Sequence, residues 1–174
     1  ALSPDERWVL SAVKSTPPRL MLYPTGAGEA RRLEVGAFES FASGQFFPDG
    51  NSFLVCGSQP GQAQRCYVGP VRGGAVRAVT SPGNGRGRLS PDGREIVAQT
   101  EDGSWRAFMV EGGESRAVPG LTAADLVSRW SPDGRALWTY RGDEIPAHVE
   151  RLDVATGRRT PLLTITPRDR SALV

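Results

Sequence analysis

Four short segments of similar sequence recur along the chain and limit its fold more than any other feature. They occupy residues 3–7, 47–51, 90–94 and 131–135, and read Ser-Pro-Asp-Glu-Arg, Phe-Pro-Asp-Gly-Asn and, twice, Ser-Pro-Asp-Gly-Arg. Their prolines stand at positions 4, 48, 91 and 132, so the repeat length is 44, 43 and then 41 residues. Self-similarity at this period indicates that one structural unit is repeated four times.

Each segment has the residue order of a type I β-turn. Proline presets φ at the second position, Asp is tolerated at the third, and Gly is favoured at the fourth. An apolar run follows each turn, and a large apolar residue, Phe46, Leu89 or Trp130, precedes the last three turns. The turn therefore joins two buried strands. Glu6 stands where other copies have Gly, and costs about 1 kcal/mol if that position needs a positive φ.

A unit of roughly 40–45 residues that carries several short strands is typical of a β-propeller blade. We therefore predict an all-β chain, a β-propeller of about four antiparallel four-stranded blades, which is either a closed small ring or part of a larger propeller. The single domain would span residues 1–174, with blades at about 1–36, 37–80, 81–120 and 121–167. The first blade lacks an innermost strand, and we expect residues 168–174 to supply it and close the ring.

An aromatic residue or Leu, then Ser-Pro-Asp-Gly-Arg and a short apolar strand, resembles the repeat of TolB-type propellers. The resemblance covers nearly the whole chain. It implies a propeller that binds proteins or small ligands. Such propellers also occur beside peptidase domains of the prolyl oligopeptidase family and beside bacterial eukaryotic-like serine/threonine kinases. With its long Gly-rich loops, this sequence most resembles the kinase-associated propellers.

Composition argues against several classes of function. The formal charge is +2 and acidic residues are interspersed throughout, so the sequence gives no basis for nucleic-acid binding. No apolar run approaches the roughly 18 residues of a membrane helix, and no signal peptide precedes the first turn. Nearly all basic residues are Arg, as in GC-rich bacterial genomes. We expect a piece of a longer bacterial protein, on the extracytoplasmic side of a membrane protein.

The two cysteines, Cys56 and Cys66, lie symmetrically about Gly61 in a predicted hairpin. Facing positions on two antiparallel strands are close enough for a disulfide. A disulfide would imply an oxidising compartment, whereas two reduced thiols would simply pack between blades. The sequence leaves both readings open. Two cysteines without nearby His are too few ligands for zinc, so we predict no metal site.

No catalytic constellation is present in the sequence. His148 is the only His, and no Gly-x-Ser-x-Gly segment provides a nucleophile for it. The Gly-rich residues 83–88 lack the Gly-Lys-Ser/Thr ending of a phosphate loop and precede no helix. The Asp of each repeated turn is explained by capping of that turn. We therefore predict no enzymatic activity and no cofactor.

One constellation of polar side chains remains as a candidate ligand-binding site. Aligning the turns places Gln45, Arg88 and Arg129 at one position of the innermost strands, with Arg86 two residues before Arg88 on the same face. Innermost strands line a propeller's central channel, where converging guanidinium groups would suit a carboxylate, a phosphate or an acidic peptide. Alternatively, each Arg pairs with an Asp or Glu of a neighbouring blade.

These observations favour a non-catalytic propeller module that acts as a sensor or scaffold within a larger bacterial protein. Its expected partners are a protein or peptide, or a small anionic ligand, and a second copy of the chain if the ring is open. The alternative is the substrate-gating propeller of a prolyl-oligopeptidase-type serine peptidase, with the catalytic domain outside this chain. A third class, a lyase built on a propeller, would need clustered acid/base or metal ligands.

Overall fold

The computed structural model describes residues 1–167 of the chain, and these residues form four antiparallel sheets. The strands are β1 Trp8–Val13, β2 Arg19–Pro24, β3 Arg31–Leu33, β4 Ser40–Phe46, β5 Ser52–Ser58, β6 Arg65–Pro70, β7 Arg77–Ala78, β8 Gly85–Leu89, β9 Glu95–Gln99, β10 Trp105–Met109, β11 Arg116–Ala117, β12 Asp125–Trp130, β13 Ala136–Arg141, β14 Ala147–Asp153 and β15 Arg159–Ile165. The described residues contain no helix.

The strands form the sheets in chain order. The first sheet is β1-β2-β3, the second β4-β5-β6-β7, the third β8-β9-β10-β11 and the fourth β12-β13-β14-β15. The first sheet has three strands, and Leu2 pairs with Val9 in a single bridge along the free edge of β1. The expected pairing of residues 168–174 with this sheet falls outside the described residues.

The repeated turn has the same hydrogen bonds in three copies. The hydroxyl groups of Ser3, Ser90 and Ser131 donate to the carboxylate two residues later, at 2.6, 2.6 and 2.5 Å. That carboxylate also accepts from the backbone N–H two residues further on. The Ser hydrogen bond is the main reason that the pKa values of these Asp residues lie below the ordinary range. Each Asp therefore caps its own turn.

The fourth residue of the turn requires a left-handed backbone. Gly50, Gly93 and Gly134 have φ values of 67°, 73° and 68°, and Glu6 adopts 58° at the same position. Glu6 therefore carries the expected cost of about 1 kcal/mol, because a positive φ is unfavourable for a residue with a Cβ atom.

A sheet buries a face wherever another sheet packs against that face. Five residues after the turn proline, Phe53, Ile96 and Leu137 are fully buried against the preceding sheet, and we call this side of each sheet the leading face. Six residues after the proline, Leu10, Leu54 and Val97 are buried against the following sheet, and we call this side the trailing face. Three apolar clusters therefore lie between successive sheets. Successive side chains of a strand point to opposite faces of the sheet. The second and third sheets therefore contribute to one cluster with the leading face and to the next cluster with the trailing face.

Candidate functional site

The innermost strands β4, β8 and β12 lie side by side, and each departs from regular pairing at one place. The ladder shifts between Phe41 and Ser43 in β4, between Gly85 and Arg88 in β8, and between Val127 and Arg129 in β12. Bulges re-aim side chains and leave backbone groups unpaired, and they are frequent beside binding sites. Three of them converge here because the repeat places one in each innermost strand.

A cavity of about 380 Å³ opens at these bulges, and we call it the inner-strand cavity. It is lined by residues from β4, β8, β10, β12 and β13, namely Ala42, Ser43, Arg86, Arg88, Trp105, Leu126, Val127, Ser128 and Tyr140. Two guanidinium groups, two hydroxyl groups, a phenol and an indole thus contribute to one space. This set contains hydrogen-bond donors in excess and no carboxylate.

Arg88 is held across the boundary between the third and fourth sheets. Its Nε donates to the carbonyl oxygen of Ser128 at 2.9 Å and its Nη1 to the carbonyl oxygen of Gly87 at 3.2 Å. Trp130 Nε1 in turn donates to the carbonyl oxygen of Arg88 at 2.9 Å. Burial lowers the pKa of Arg88, Tyr140 opposes that change, and the positive charge of Arg86 lowers the pKa further. Backbone carbonyl groups therefore position the guanidinium, and no carboxylate of residues 1–167 neutralises its charge.

Arg86 lies on the bulge of β8 with an unusual backbone. Its φ is 51°, and it shares a positive φ with only Glu6 among the non-glycine residues of the described chain. Such a conformation costs a residue with a side chain about 1 kcal/mol or more, and it occurs preferentially at functional sites. Arg86 is exposed, and it lines the same cavity as Arg88.

Gln45 and Arg129 stand at the same register as Arg88 but do not line the cavity. Gln45 Oε1 accepts a hydrogen bond from the backbone N–H of Leu89 at 2.9 Å and thereby joins the second sheet to the third. The Arg129 guanidinium carbon lies 3.7 Å from the centre of the Trp138 ring. Of the four residues that the sequence grouped, the structure brings Arg86 and Arg88 together in one cavity.

The alternative of ion pairs between blades is not seen at these arginines. The salt bridges within residues 1–167 involve Arg32, Arg116, Arg141, Arg151 and Arg159. Arg86, Arg88 and Arg129 have no carboxylate partner in this part of the chain. Two of these positive charges, Arg86 and Arg88, therefore line a shared space that no carboxylate of residues 1–167 lines.

Sequence reasoning missed the aromatic part of the cavity. Trp105 is 3% exposed, and its indole Nε1 is a buried donor without a hydrogen-bond partner within residues 1–167. Buried indole N–H groups usually have a hydrogen-bond partner, so this one is an exception among the described residues. Trp105 belongs to β10 and Tyr140 to β13, so no alignment of innermost strands could have found them.

The disulfide lies directly behind the bulge that carries Arg86 and Arg88. Cys56 and Cys66 are facing partners on β5 and β6 and are joined by a disulfide. A Cβ atom at Gly87 would lie 2.8 Å from Cys66 Sγ and 2.9 Å from Cys56 Sγ. Only glycine fits between β8 and the disulfide, so the second sheet supports the bulge through these sulfur atoms.

A second cavity, of about 390 Å³, lies on the fourth sheet beside an ion network. Arg159 donates to Asp125 Oδ2 at 2.6 Å, to Glu150 Oε2 at 2.7 Å and to the carbonyl oxygen of Gly120 at 2.7 Å. Burial would raise the pKa of Asp125, but hydrogen bonds from Arg159 and Thr122 outweigh it and lower the pKa. The network ties the outermost strand to the innermost strand of the sheet.

His148 also lines this second cavity, where its exposed ring contacts Thr164 Oγ1 at 3.2 Å. No group of three or more His, Cys, Asp or Glu side chains within residues 1–167 could hold a metal ion. The same residues contain no helix long and apolar enough to cross a membrane.

Four successive antiparallel sheets, stacked face to face through three apolar clusters, define a β-propeller of about four blades. No protein-family model matches the sequence, and no curated protein matches it.

Solved structures of TolB proteins share this fold. TolB from Agrobacterium tumefaciens superposes with a TM-score of 0.74 and 17% identity, over 93% of this chain and 60% of that chain. TolB from Acinetobacter baumannii gives 0.75 and 18%, over 94% of this chain and 42% of that chain. The chain thus spans about half of the length of these proteins. The predicted TolB-type propeller fold is confirmed.

Proposed function

We propose that this propeller is a non-catalytic binding module that takes an anionic group, a carboxylate or a phosphate, in the inner-strand cavity. One observation carries the proposal. Arg86 and Arg88 line a common cavity, and neither has a carboxylate partner within residues 1–167. The ligand is a small anion or the acidic side chain of a partner protein or peptide.

The electrostatics of Arg88 favour such a ligand. A guanidinium that is partly removed from water, and that lies beside a second positive charge, gains stability when an anion approaches. Arg88 already uses Nε and one Nη1 contact on backbone carbonyls, while Arg86 is exposed on the bulge. An anion bound between them would accept charge-assisted hydrogen bonds, which are stronger than neutral ones.

Neutral donors around the cavity support the same ligand class. The hydroxyl groups of Ser43, Ser128 and Tyr140, residues that line the cavity, can each donate to an oxygen. Anions with several acceptor oxygens satisfy more of these donors than neutral ligands do. Phosphate and carboxylate are therefore the appropriate probes.

Binding is preferred to catalysis because Tyr140 is the one acid or base side chain of residues 1–167 that lines this cavity, with no His or carboxylate beside it. His148 lies at the second cavity, and no carboxylate of residues 1–167 lines the first. General acid–base chemistry needs a titratable side chain within hydrogen-bonding reach of the reacting group. The likeness to TolB structures also gives the peptidase-gating alternative no support.

The setting we propose is a larger bacterial protein, with this propeller attached to a serine/threonine kinase and exposed outside the cytoplasm. The disulfide between Cys56 and Cys66 supports an oxidising compartment. Titration of free thiols in protein purified from its native host tests the compartment. The domain encoded beside the propeller in the complete gene tests the attachment. Two free thiols, or a neighbour other than a kinase, would contradict the respective part.

Isothermal titration with inorganic phosphate tests the cavity. The Arg86→Gly variant removes one charge and suits the left-handed backbone, so it keeps the fold while we expect phosphate affinity to fall about ten-fold or more. Arg135→Gln, at an exposed turn, is the matched control and should bind as the native chain does.

Affinity should also fall as salt rises, because exposed charges are screened. No phosphate binding by the native chain, or equal binding by Arg86→Gly, would refute the proposal.

A further inference from the structure

The bulge of β8 that carries Arg86 is not held by the β-ladder. Strand β8 pairs with β9 at Gly85 and again at Arg88, and the two residues between these pairs, Arg86 and Gly87, have no partner in that ladder. A bulge leaves its extra residue unpaired in this way. Packing against the neighbouring sheet must therefore set the position of these two residues.

Two effects oppose the conformation of this bulge. The first is the φ of 51° at Arg86, which a residue with a Cβ atom keeps only where its surroundings impose it. The second is the repulsion between two neighbouring guanidinium groups. Burial is the main cause that lowers the pKa of Arg88, Tyr140 opposes it, and the charge of Arg86 lowers the pKa further. Without a rigid support, the bulge would relax and Arg86 would leave the inner-strand cavity.

The disulfide between Cys56 and Cys66 provides that support from the second sheet. A Cβ atom at Gly87 would lie 2.8 Å from Cys66 Sγ and 2.9 Å from Cys56 Sγ, so both sulfur atoms pack directly against the bulge. Both cysteines are 0% exposed and belong to the apolar cluster between the second and third sheets. Close-packed interiors transmit a displacement rather than absorb it. A shift of either sulfur atom would therefore move Gly87.

The disulfide lies where the supporting hairpin opens most easily. Cys56 and Cys66 face each other on β5 and β6, and only the pair of Gly57 and Arg65 separates them from the loop at residues 59–64. The end of a hairpin frays at a lower free energy than its centre. Reduction would remove the covalent link at this end and would leave two thiols, which need more space than the bonded pair. Both changes act on the residues that touch the bulge.

We propose, on the basis of the function proposed above, that formation of the Cys56–Cys66 disulfide makes the inner-strand cavity able to bind its anion. The chain then acquires this binding only when it is oxidised. The oxidant is a disulfide-containing compound: a thiolate of the chain attacks it, a mixed disulfide forms, and the second cysteine resolves it. One sulfur–sulfur bond is made and one is broken, and two thiols leave with the two protons and two electrons that the chain loses.

The timing of this oxidation follows from burial. Both sulfur atoms lie in the apolar cluster of the folded chain, where small thiols and disulfides do not reach them. The exchange therefore takes place while the chain folds, and the finished disulfide persists. A chain that folds in an oxidising compartment has the competent cavity, whereas a chain that folds among reduced thiols does not.

Isothermal titration with inorganic phosphate tests the proposal on three forms of the chain. These are the oxidised native chain, the native chain refolded in a phosphine reductant, and the Cys56→Ala/Cys66→Ala variant. Each is titrated under conditions where circular dichroism shows it folded. We expect phosphate affinity to fall about ten-fold or more in the second and third forms, since one charge-assisted contact is lost. Unfolding, reoxidation and refolding of the reduced chain should restore the affinity.

Val55→Ala is the matched control for a general loss of stability. Val55 is the neighbour of Cys56 on β5 and is 0% exposed, but its side chain packs in the cluster between the first and second sheets. Removing its methyl groups lowers the unfolding free energy without touching the bulge. The phosphate affinity of this variant should equal that of the oxidised native chain.

A reciprocal measurement separates positioning of the site from support of the fold. Coupling between two equilibria is mutual, so saturating phosphate should shift the thiol–disulfide equilibrium of the chain in a glutathione buffer toward the disulfide. The shift should equal the factor by which oxidation raises phosphate affinity. Alkylation of the remaining free thiols measures it. A disulfide that only stabilises the fold would not respond to phosphate.

Hydrogen exchange of backbone amides tests the link between disulfide and bulge without any phosphate. The segment 85–89 should exchange about ten-fold faster or more in the Cys56→Ala/Cys66→Ala variant, because its support is lost, while β13 should keep its rate. Equal phosphate affinity of the oxidised and reduced chains overturns this proposal and leaves the proposed function intact, as does an equal loss in Val55→Ala. If the oxidised native chain binds no phosphate, the proposed function fails. Unchanged exchange at 85–89 then overturns the link to the bulge as well, and faster exchange supports it.

Discussion

Replacing Glu6 by Gly should stabilise the protein, although it removes a side chain. Glu6 adopts a φ of 58° at the turn position where the other copies have Gly50, Gly93 and Gly134 at 67°, 73° and 68°. A left-handed backbone costs an L-residue about 1–2 kcal/mol. Glycine also raises the conformational entropy of the unfolded chain, which offsets about 0.5–1 kcal/mol of that gain. The expected net gain in unfolding free energy is about 0.5–1 kcal/mol.

Urea denaturation followed by circular dichroism measures this gain, and the melting temperature should rise by about 2 °C. The Glu6 side chain makes no salt bridge within residues 1–167, so its loss removes no ion pair. Thr25 bonds to the backbone carbonyl of Glu6, and glycine retains that acceptor. The change therefore isolates the backbone effect.

The reverse substitution at an equivalent turn is the control. In Gly134→Ala, the new Cβ atom would stand at an ordinary 3.8 Å from Pro91, so we expect a loss of about 1 kcal/mol from φ alone. Gly93→Ala should lose more, because its Cβ would lie 3.1 Å from Phe47. If Glu6→Gly leaves the unfolding free energy unchanged or lowers it, the strain argument is wrong.

Two further substitutions test the packing around the sites. Gly87→Ala should lower the unfolding free energy by about 2 kcal/mol and weaken phosphate binding, because the rigid disulfide cannot move away from the new Cβ atom. Denaturation measures the first effect and isothermal titration the second. Gly26→Ala is the control and should be neutral, because no atom lies within 4 Å of its new Cβ. Arg159→Leu should cost about 3 kcal/mol, since it leaves Asp125 buried without its cation. The depressed pKa of Asp125 contributes stability above about pH 4 that is lost as pH falls toward its folded-state pKa. The native chain should therefore lose unfolding free energy in this acid range more steeply than Arg159→Leu, and parallel pH profiles would contradict the assignment.

Much of the fold could be predicted because the repeat encodes local chemistry. The turn needs Pro for φ and Gly for a left-handed residue, so its position in each unit is readable without any tertiary information. The position of Cys66 opposite Cys56 also follows from hairpin symmetry alone. The common register of Gln45, Arg88 and Arg129 comes from alignment of the same turns.

The composition of the candidate site depended on packing between sheets. A bulge in β8 turns Arg86 into the cavity, and no sequence rule predicts where a ladder slips. Trp105 and Tyr140 reach the cavity from β10 and β13 because neighbouring sheets bring these strands together. Arg129 leaves the group because it has Trp138, rather than a following strand, beside it.

By itself, the sequence determined the repeat, its turns and the buried strands between them, because those features depend on φ preferences and on alternation within a few residues. Tertiary structure alone decided which arginines share a cavity and which parts of the neighbouring sheets support them. The physical reason is that a side chain's neighbours on another sheet are set by how blades pack. Residues about 40 positions apart then become contacts, as Arg88 and Ser128 do.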